Sequence, residues 1–169
     1  MKTMKHTMSV LVRNKFGALT RIAALFSGRG YNIDSLSVAT TKDLEVSKMT
    51  IVTSGDAATI EQIEKQLTKL VDVIQVTPLK GQRFVARELM LVKIAAQGAT
   101  RSEIMQVCDV FGAAIVSLHH NTMAVQITGK PDKLDAFIQL VEAFGVVEIV
   151  RSGPIGMIRA DEPTQSFSL

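Results

Sequence analysis

The stretch MSVLVRNKFGALTRIAALFSGRGYNIDSLSVAT, residues 8–40, decides the fold, because its hydrophobic period changes twice. Met8, Val10 and Val12 alternate with Ser9, Leu11 and Arg13, the two-residue spacing of a strand. After the turn Asn14-Lys15-Phe16-Gly17, the apolar residues Leu19, Ile22, Ala23 and Phe26 recur at intervals of three and four. That spacing predicts a helix burying one stripe, with Gly28 and Gly30 supplying its stop. Asp34 to Thr40 then reads as a second strand. Working outward, a polar connection (Thr41 to Glu45) leads to a third strand, Ser47 to Thr53, and Gly55-Asp56 opens a helix with Ile60, Ile63, Leu67 and Leu70 on one side. Val71 to Thr77 completes a βαββαβ unit.

The second half repeats the first. Met90, Val92 and Ile94 stand 82 residues after Met8, Val10 and Val12. Gly112, Ile115, Ser117 and Leu118 keep that offset from Gly30, Ile33, Ser35 and Leu36. The offset then falls to 74, because a tight turn at His120-Asn121 replaces the longer connection. Leu134, Phe137, Val141 and Phe144 match Ile60, Ile63, Leu67 and Leu70. The fold class is therefore α+β, two tandem ferredoxin-like domains, each with two helices on one face of an antiparallel sheet. The expected domains are residues 1–79 and 80–160, divided where Lys80-Gly81-Gln82-Arg83 breaks both periods, with 161–169 a flexible tail. Units of roughly 80 residues have marginal cores. The outward set Ser9, Leu11, Ser35, Ser37, Ala39, Thr50 and Val52 is small and mildly polar, so oligomerisation is the expected cover for the other sheet face.

Composition excludes several function classes. The 169 residues are 47% hydrophobic with a mean hydropathy of +0.24, yet no stretch approaches the ~20 apolar residues of a membrane span. Met1 to Lys5 lacks the apolar region of a secretory signal, so the cytoplasm is the expected location. One cysteine, Cys108, rules out an internal disulfide and reads as a buried thiol. The net charge of +3 is scattered, and the strands that face RNA in stacking readers carry no aromatic residue, so no nucleic-acid partner is expected. Phosphate-loop, dinucleotide, nucleophile-elbow and zinc-protease motifs are missing. His119 and His120 flank a turn with no further ligand at usable spacing, so neither a metal nor a catalytic residue is predicted.

Two asparagines distinguish the first copy. Asn14 and Asn32 face Ala96 and Ala114 in the repeat. Asn14-Lys15-Phe16-Gly17 runs into a helix start, where free N–H groups and the helix dipole favour a carboxylate. Asn32 is expected on an adjacent strand, its amide accepting from an ammonium. Leu19, Ile33 and Ala39 would line an apolar slot, giving a pocket for an α-amino acid. Taken singly, Asn14 also reads as a helix N-cap and Asn32 as a turn residue.

The motif Asn14-x-x-Gly17-x-Leu19-x-Arg21, with Leu25-Phe26 and Arg29-Gly30-Tyr31-Asn32-Ile33-x-Ser35-Leu36-x-Val38, resembles the ACT-domain regulatory small subunits of acetolactate synthase, also called acetohydroxyacid synthase. The likeness continues through Gln62 to Val73, Glu88-Leu89-x-Leu91-x-Lys93 and Glu148-Ile149-x-Arg151-Ser152-Gly153. It implies that the first domain is an ACT domain. It also implies a chain without cofactor of its own that activates a catalytic large subunit using thiamine diphosphate, Mg and FAD. Feedback inhibition by valine, isoleucine or leucine would follow from an effector held between the ACT domains of a homodimer. The matching effector residues are Asn14, Gly17, Ala18, Asn32 and Ile33. The alternative is a free-standing ACT sensor without an enzyme partner.

Overall fold

The computed structural model describes residues 4–80 and 84–160; residues 81–83 of the expected linker and the 161–169 tail lie outside them. The first unit contains strands β1 (Met4–Arg13), β2 (Ser35–Thr40), β3 (Val46–Gly55) and β4 (Val73–Leu79), with helices α1 (Ala18–Gly28) and α2 (Ala57–Leu67). Its sheet runs β2-β3-β1-β4, antiparallel throughout. Pairing of Met8 with Ile51 and of Val10 with Met49 puts the alternating apolar residues on one face, where Ile22, Phe26, Ile60, Ile63 and Leu67 close over them. Helix α1 ends through Gly30, whose φ of 71° lets the Tyr31 amide turn back to the Phe26 carbonyl at 2.9 Å, whereas Gly28 lies inside the helix. Asp56 caps α2, its carboxylate accepting from the Thr59 amide at 2.8 Å.

The second unit repeats the plan with β5 (Phe84–Ala95), α3 (Thr100–Phe111), β6 (Ala114–Leu118), β7 (Thr122–Gly129), α4 (Pro131–Val141) and β8 (Val146–Arg151). The sheet order is β6-β7-β5-β8, the same arrangement two strands at a time. Both first strands even shift register at corresponding positions, between Leu11 and Val12 and between Lys93 and Ile94. Met90, Val92, Ile94, Val125, Leu134 and Phe137 form its core, and Cys108 is buried among them with its thiol pKa pushed up, first by burial and then by Asp109. Arg151 forks onto buried Glu88 at 2.8 Å through both Nε and Nη2 and reaches Asp135 at 2.6 Å, an arrangement that raises its pKa.

The chain's division differs from the expected one at its end. A last strand, β9 (Ile155–Ile158), pairs with β5 and groups with the first unit, as do the first residues of β5, Phe84 and Val85. Gly153, at φ 71°, and Pro154 end β8, and the chain then lies along the sheet face opposite α1 and α2. The Gly156 amide donates to Thr50 Oγ1 at 3.2 Å, and a Cβ there would stand 2.6 Å from Leu79 Cδ1, so only glycine fits without displacement. Ser9, Thr50 and Val52 are accordingly buried in the single chain. Part of the face assigned to an oligomeric cover is therefore closed by the protein's own strand. Among the described residues no helix is long and apolar enough to cross a membrane.

Candidate functional site

The loop between β1 and α1 is built from backbone first. The Asn14 amide donates to the Glu45 carbonyl at 2.7 Å, and its side-chain Nδ2 donates to the Leu44 carbonyl at 2.8 Å, tying the loop to the β2–β3 connection. Asn14 is thus not the N-cap of α1. That position is Gly17, at φ 83°, and no side chain caps the helix. The first-turn N–H groups of α1 therefore lack the side-chain acceptor that Asp56 gives α2. Ala18 is buried behind the turn and Leu19 is 42% exposed on its rim. The Asn14 Oδ1 remains an available acceptor beside them.

Asn32 lies elsewhere. Its carbonyl accepts from Thr53 Oγ1 at 2.6 Å, and its Nδ2 donates to Asp34 Oδ1 at 2.6 Å. Asn14 stands level with Glu45 and Asn32 with Thr53, at opposite ends of β3. At ~3.3 Å per residue these levels are roughly 25 Å apart. The expectation that one chain brings both amides together is corrected: β2 runs antiparallel to β3, so the start of β2 is at the far end of the sheet from the start of α1. Ile33 is half-buried and packs on the core beside Asn32. Ala39 pairs with Lys48 and so points to the face opposite α1, whereas Val38, paired with Met49, points to the helix side and is 46% exposed at the open edge. The slot on the helix side belongs to Val38, which the parity of the alternating strand could have revealed.

Two groups that sequence reading left without a role hold the loop in place. Arg21 donates from Nε to Asp72 Oδ2 at 2.6 Å and from Nη2 to the Phe16 carbonyl at 3.4 Å. Asp72 is buried, and its own carbonyl accepts from the Arg13 amide at 2.8 Å. In the second unit the corresponding space is filled differently. Arg101 donates from Nη2 to the carbonyls of His119 at 2.9 Å and His120 at 2.6 Å, so a guanidinium makes the tie that Asn14 makes in the first. Ala96, in place of Asn14, is fully buried. Among the described residues no three His, Cys, Asp or Glu side chains group as a metal site.

A tandem pair of ferredoxin-like units, the first with an uncapped glycine turn at α1 and an open β2 edge, defines a protein of the ACT class. Residues 8–75 match the model of the acetohydroxyacid synthase small-subunit-like ACT domain, and residues 87–160 match that of the small subunit of acetolactate synthase. The chain belongs to the acetolactate synthase small-subunit family, the regulatory and non-catalytic subunits of that enzyme. It is 48% identical to the isozyme 3 small subunit of Salmonella typhimurium over 94% of this chain and 98% of that one. The probable small subunit of Archaeoglobus fulgidus is 42% identical over 94% and 99%. The crystal structure of the small subunit from Thermotoga maritima superposes with a TM-score of 0.86 at 37% identity, covering 94% of this chain and 99% of that one.

Proposed function

We propose that this chain activates the catalytic large subunit of acetolactate synthase in the cytoplasm and confers feedback inhibition by valine or another branched-chain amino acid. The regulated reaction serves valine, isoleucine and leucine biosynthesis, and its thiamine diphosphate, Mg and FAD belong to the catalytic subunit. The effector site is completed by a second copy of this chain. The observation that carries this reading is the separation of Asn14 from Asn32 along a sheet whose β2 edge is open. Two β2 strands paired antiparallel about a two-fold axis place the residues before Ser35 of one copy beside the end of β2 in the other. There Asn14 holds the Leu44 carbonyl. An open edge with Val38 exposed favours such pairing, and the two-fold repeats it with the same surface on both copies.

Each site then offers the Gly17 amide of one copy, at the start of α1, to a carboxylate and the Asn14 Oδ1 to an ammonium. Asn32 and Ile33 of the other copy close it, with Leu19 and Val38 against the aliphatic side chain. Burying that side chain contributes roughly 1.5–3 kcal/mol, and each charged hydrogen bond about as much before the cost of association. Binding in the micromolar to millimolar range follows, suited to sensing a metabolite pool. The test is the full chain reconstituted with a catalytic subunit. Asn14→Ala and Asn32→Ala should each abolish inhibition by valine while stimulation of the catalytic subunit persists. A wild-type chain that neither stimulates the catalytic subunit nor responds to valine, isoleucine or leucine contradicts the proposal and favours a free-standing sensor.

A further inference from the structure

The Gly17 turn is closed from within by the Ala18 amide, which donates to the Lys15 carbonyl at 3.2 Å, and it is braced from outside by one side chain. Phe16 leaves its φ unrestricted, and its side chain is fully exposed, so packing does not fix the loop. Gly17, at φ 83°, has no Cβ to restrict it. What contacts the turn is the Arg21 guanidinium. It lies directly beneath, since a Cβ on Gly17 would meet Arg21 Nη1 at 3.1 Å. Its Nε donates to Asp72 Oδ2 at 2.6 Å, and its Nη2 pairs with that same oxygen while reaching the Phe16 carbonyl at 3.4 Å. Asp72 is itself fixed, because it is buried in the turn before β4 and its carbonyl accepts from Arg13, the last residue of β1. One planar fork therefore links the buried α2–β4 turn to the carbonyl of the peptide whose N–H, that of Gly17, stands at the start of α1.

We propose that Arg21 is a positioning residue for the effector: by bridging Asp72 and the Phe16 carbonyl it fixes the Phe16–Gly17 peptide and so aims the Gly17 amide at the effector's carboxylate without touching the effector itself. This rests on the effector site proposed above. Orientation is what the fork supplies. A guanidinium can hold a carboxylate and a carbonyl at fixed angles at once, whereas an ammonium on a flexible stem is a point charge without that geometry. Because the Gly17 amide meets the carboxylate common to all α-amino acids, losing the fork weakens every branched-chain effector by the same factor and leaves their ranking unchanged. A side chain lining the aliphatic slot would change the ranking instead.

The experiment titrates the full-length chain with valine, isoleucine and leucine by calorimetry, alongside thermal melts and amide hydrogen exchange without effector. Arg21→Lys should keep a melting temperature near wild type, because the charge opposite Asp72 remains. It should nevertheless bind all three amino acids about tenfold more weakly, with faster exchange in residues 15–19. Asp72→Asn should reproduce the weakening, and the Arg21→Lys, Asp72→Asn double variant should bind no worse than either single one. Wild-type affinity in Arg21→Lys, or a changed ranking of the three effectors, overturns the positioning role while leaving the site reading intact. A wild-type chain that binds none of the three overturns the site reading and this role with it.

Discussion

At residue scale the molecule is governed by ion pairs that bridge distant parts of the chain. Arg21 meets Asp72 across 51 residues, and Arg151 meets Glu88 across 63. Neither spacing leaves a periodic trace, so the sequence showed these residues only as members of family segments and gave them no partner. Their energetics differ. Arg21 is nearly half exposed, so water screens its pair, whereas Glu88 is only 4% exposed and depends on its fork for charge compensation. Arg151→Ala should destabilise the second unit by roughly 3 kcal/mol, the low end for breaking a buried pair, because Arg151 itself is partly open to water. Chemical denaturation measures this, and a loss below about 0.5 kcal/mol would show that water replaces the arginine. The asparagines were legible individually, from the contrast with Ala96 and Ala114. Their separation was not, because it is fixed by the register of strands far apart in sequence.

At the scale of elements, the periods of two and of three to four residues located all four helices and the eight strands of the repeat. The shared register shift near the end of β1 and β5 shows how deep the repeat goes. Where the pattern is short, it failed. Ile155-Gly156-Met157-Ile158 has no period long enough to read, so β9 went unrecognised as a strand. Replacing Gly156 by valine drives a side chain into Leu79 and should cost about 1–3 kcal/mol as overpacking. A cooperative melt unchanged from wild type would mean that β9 does not hold the sheet. The cap of α2 was visible as Gly55-Asp56 at a helix start, and it makes a pH-dependent claim. The Thr59 backbone amide, then its side chain, lower the Asp56 pKa. A lowered carboxyl pKa stabilises the fold above the ordinary aspartate range, and that contribution is lost as the pH falls through the folded value. Asp56→Ala should therefore melt below wild type at neutral pH, with the gap closing in acid. A gap that persists unchanged once Asp56 is protonated would contradict the cap's role.

At the scale of the whole molecule, two copies of one fold have diverged at the loop between the first strand and the first helix. The first unit ties its β1–α1 loop with an asparagine that keeps an oxygen to spare, and the second ties the matching loop with Arg101, which fills the space. That divergence is why the proposed effector site is placed in the first unit only. In the proposed function the site is a property of the assembly, since Asn14 and Asn32 lie at opposite ends of one sheet. Mixing tests this directly. Asn14→Ala and Asn32→Ala chains, each deficient alone, are co-refolded and titrated with valine. A site shared across the two-fold leaves every mixed dimer one intact site, made from the Asn14 of one chain and the Asn32 of the other. Recovery of wild-type affinity at one site per mixed dimer is the predicted result; a mixture that binds no more valine than the separate variants would contradict it.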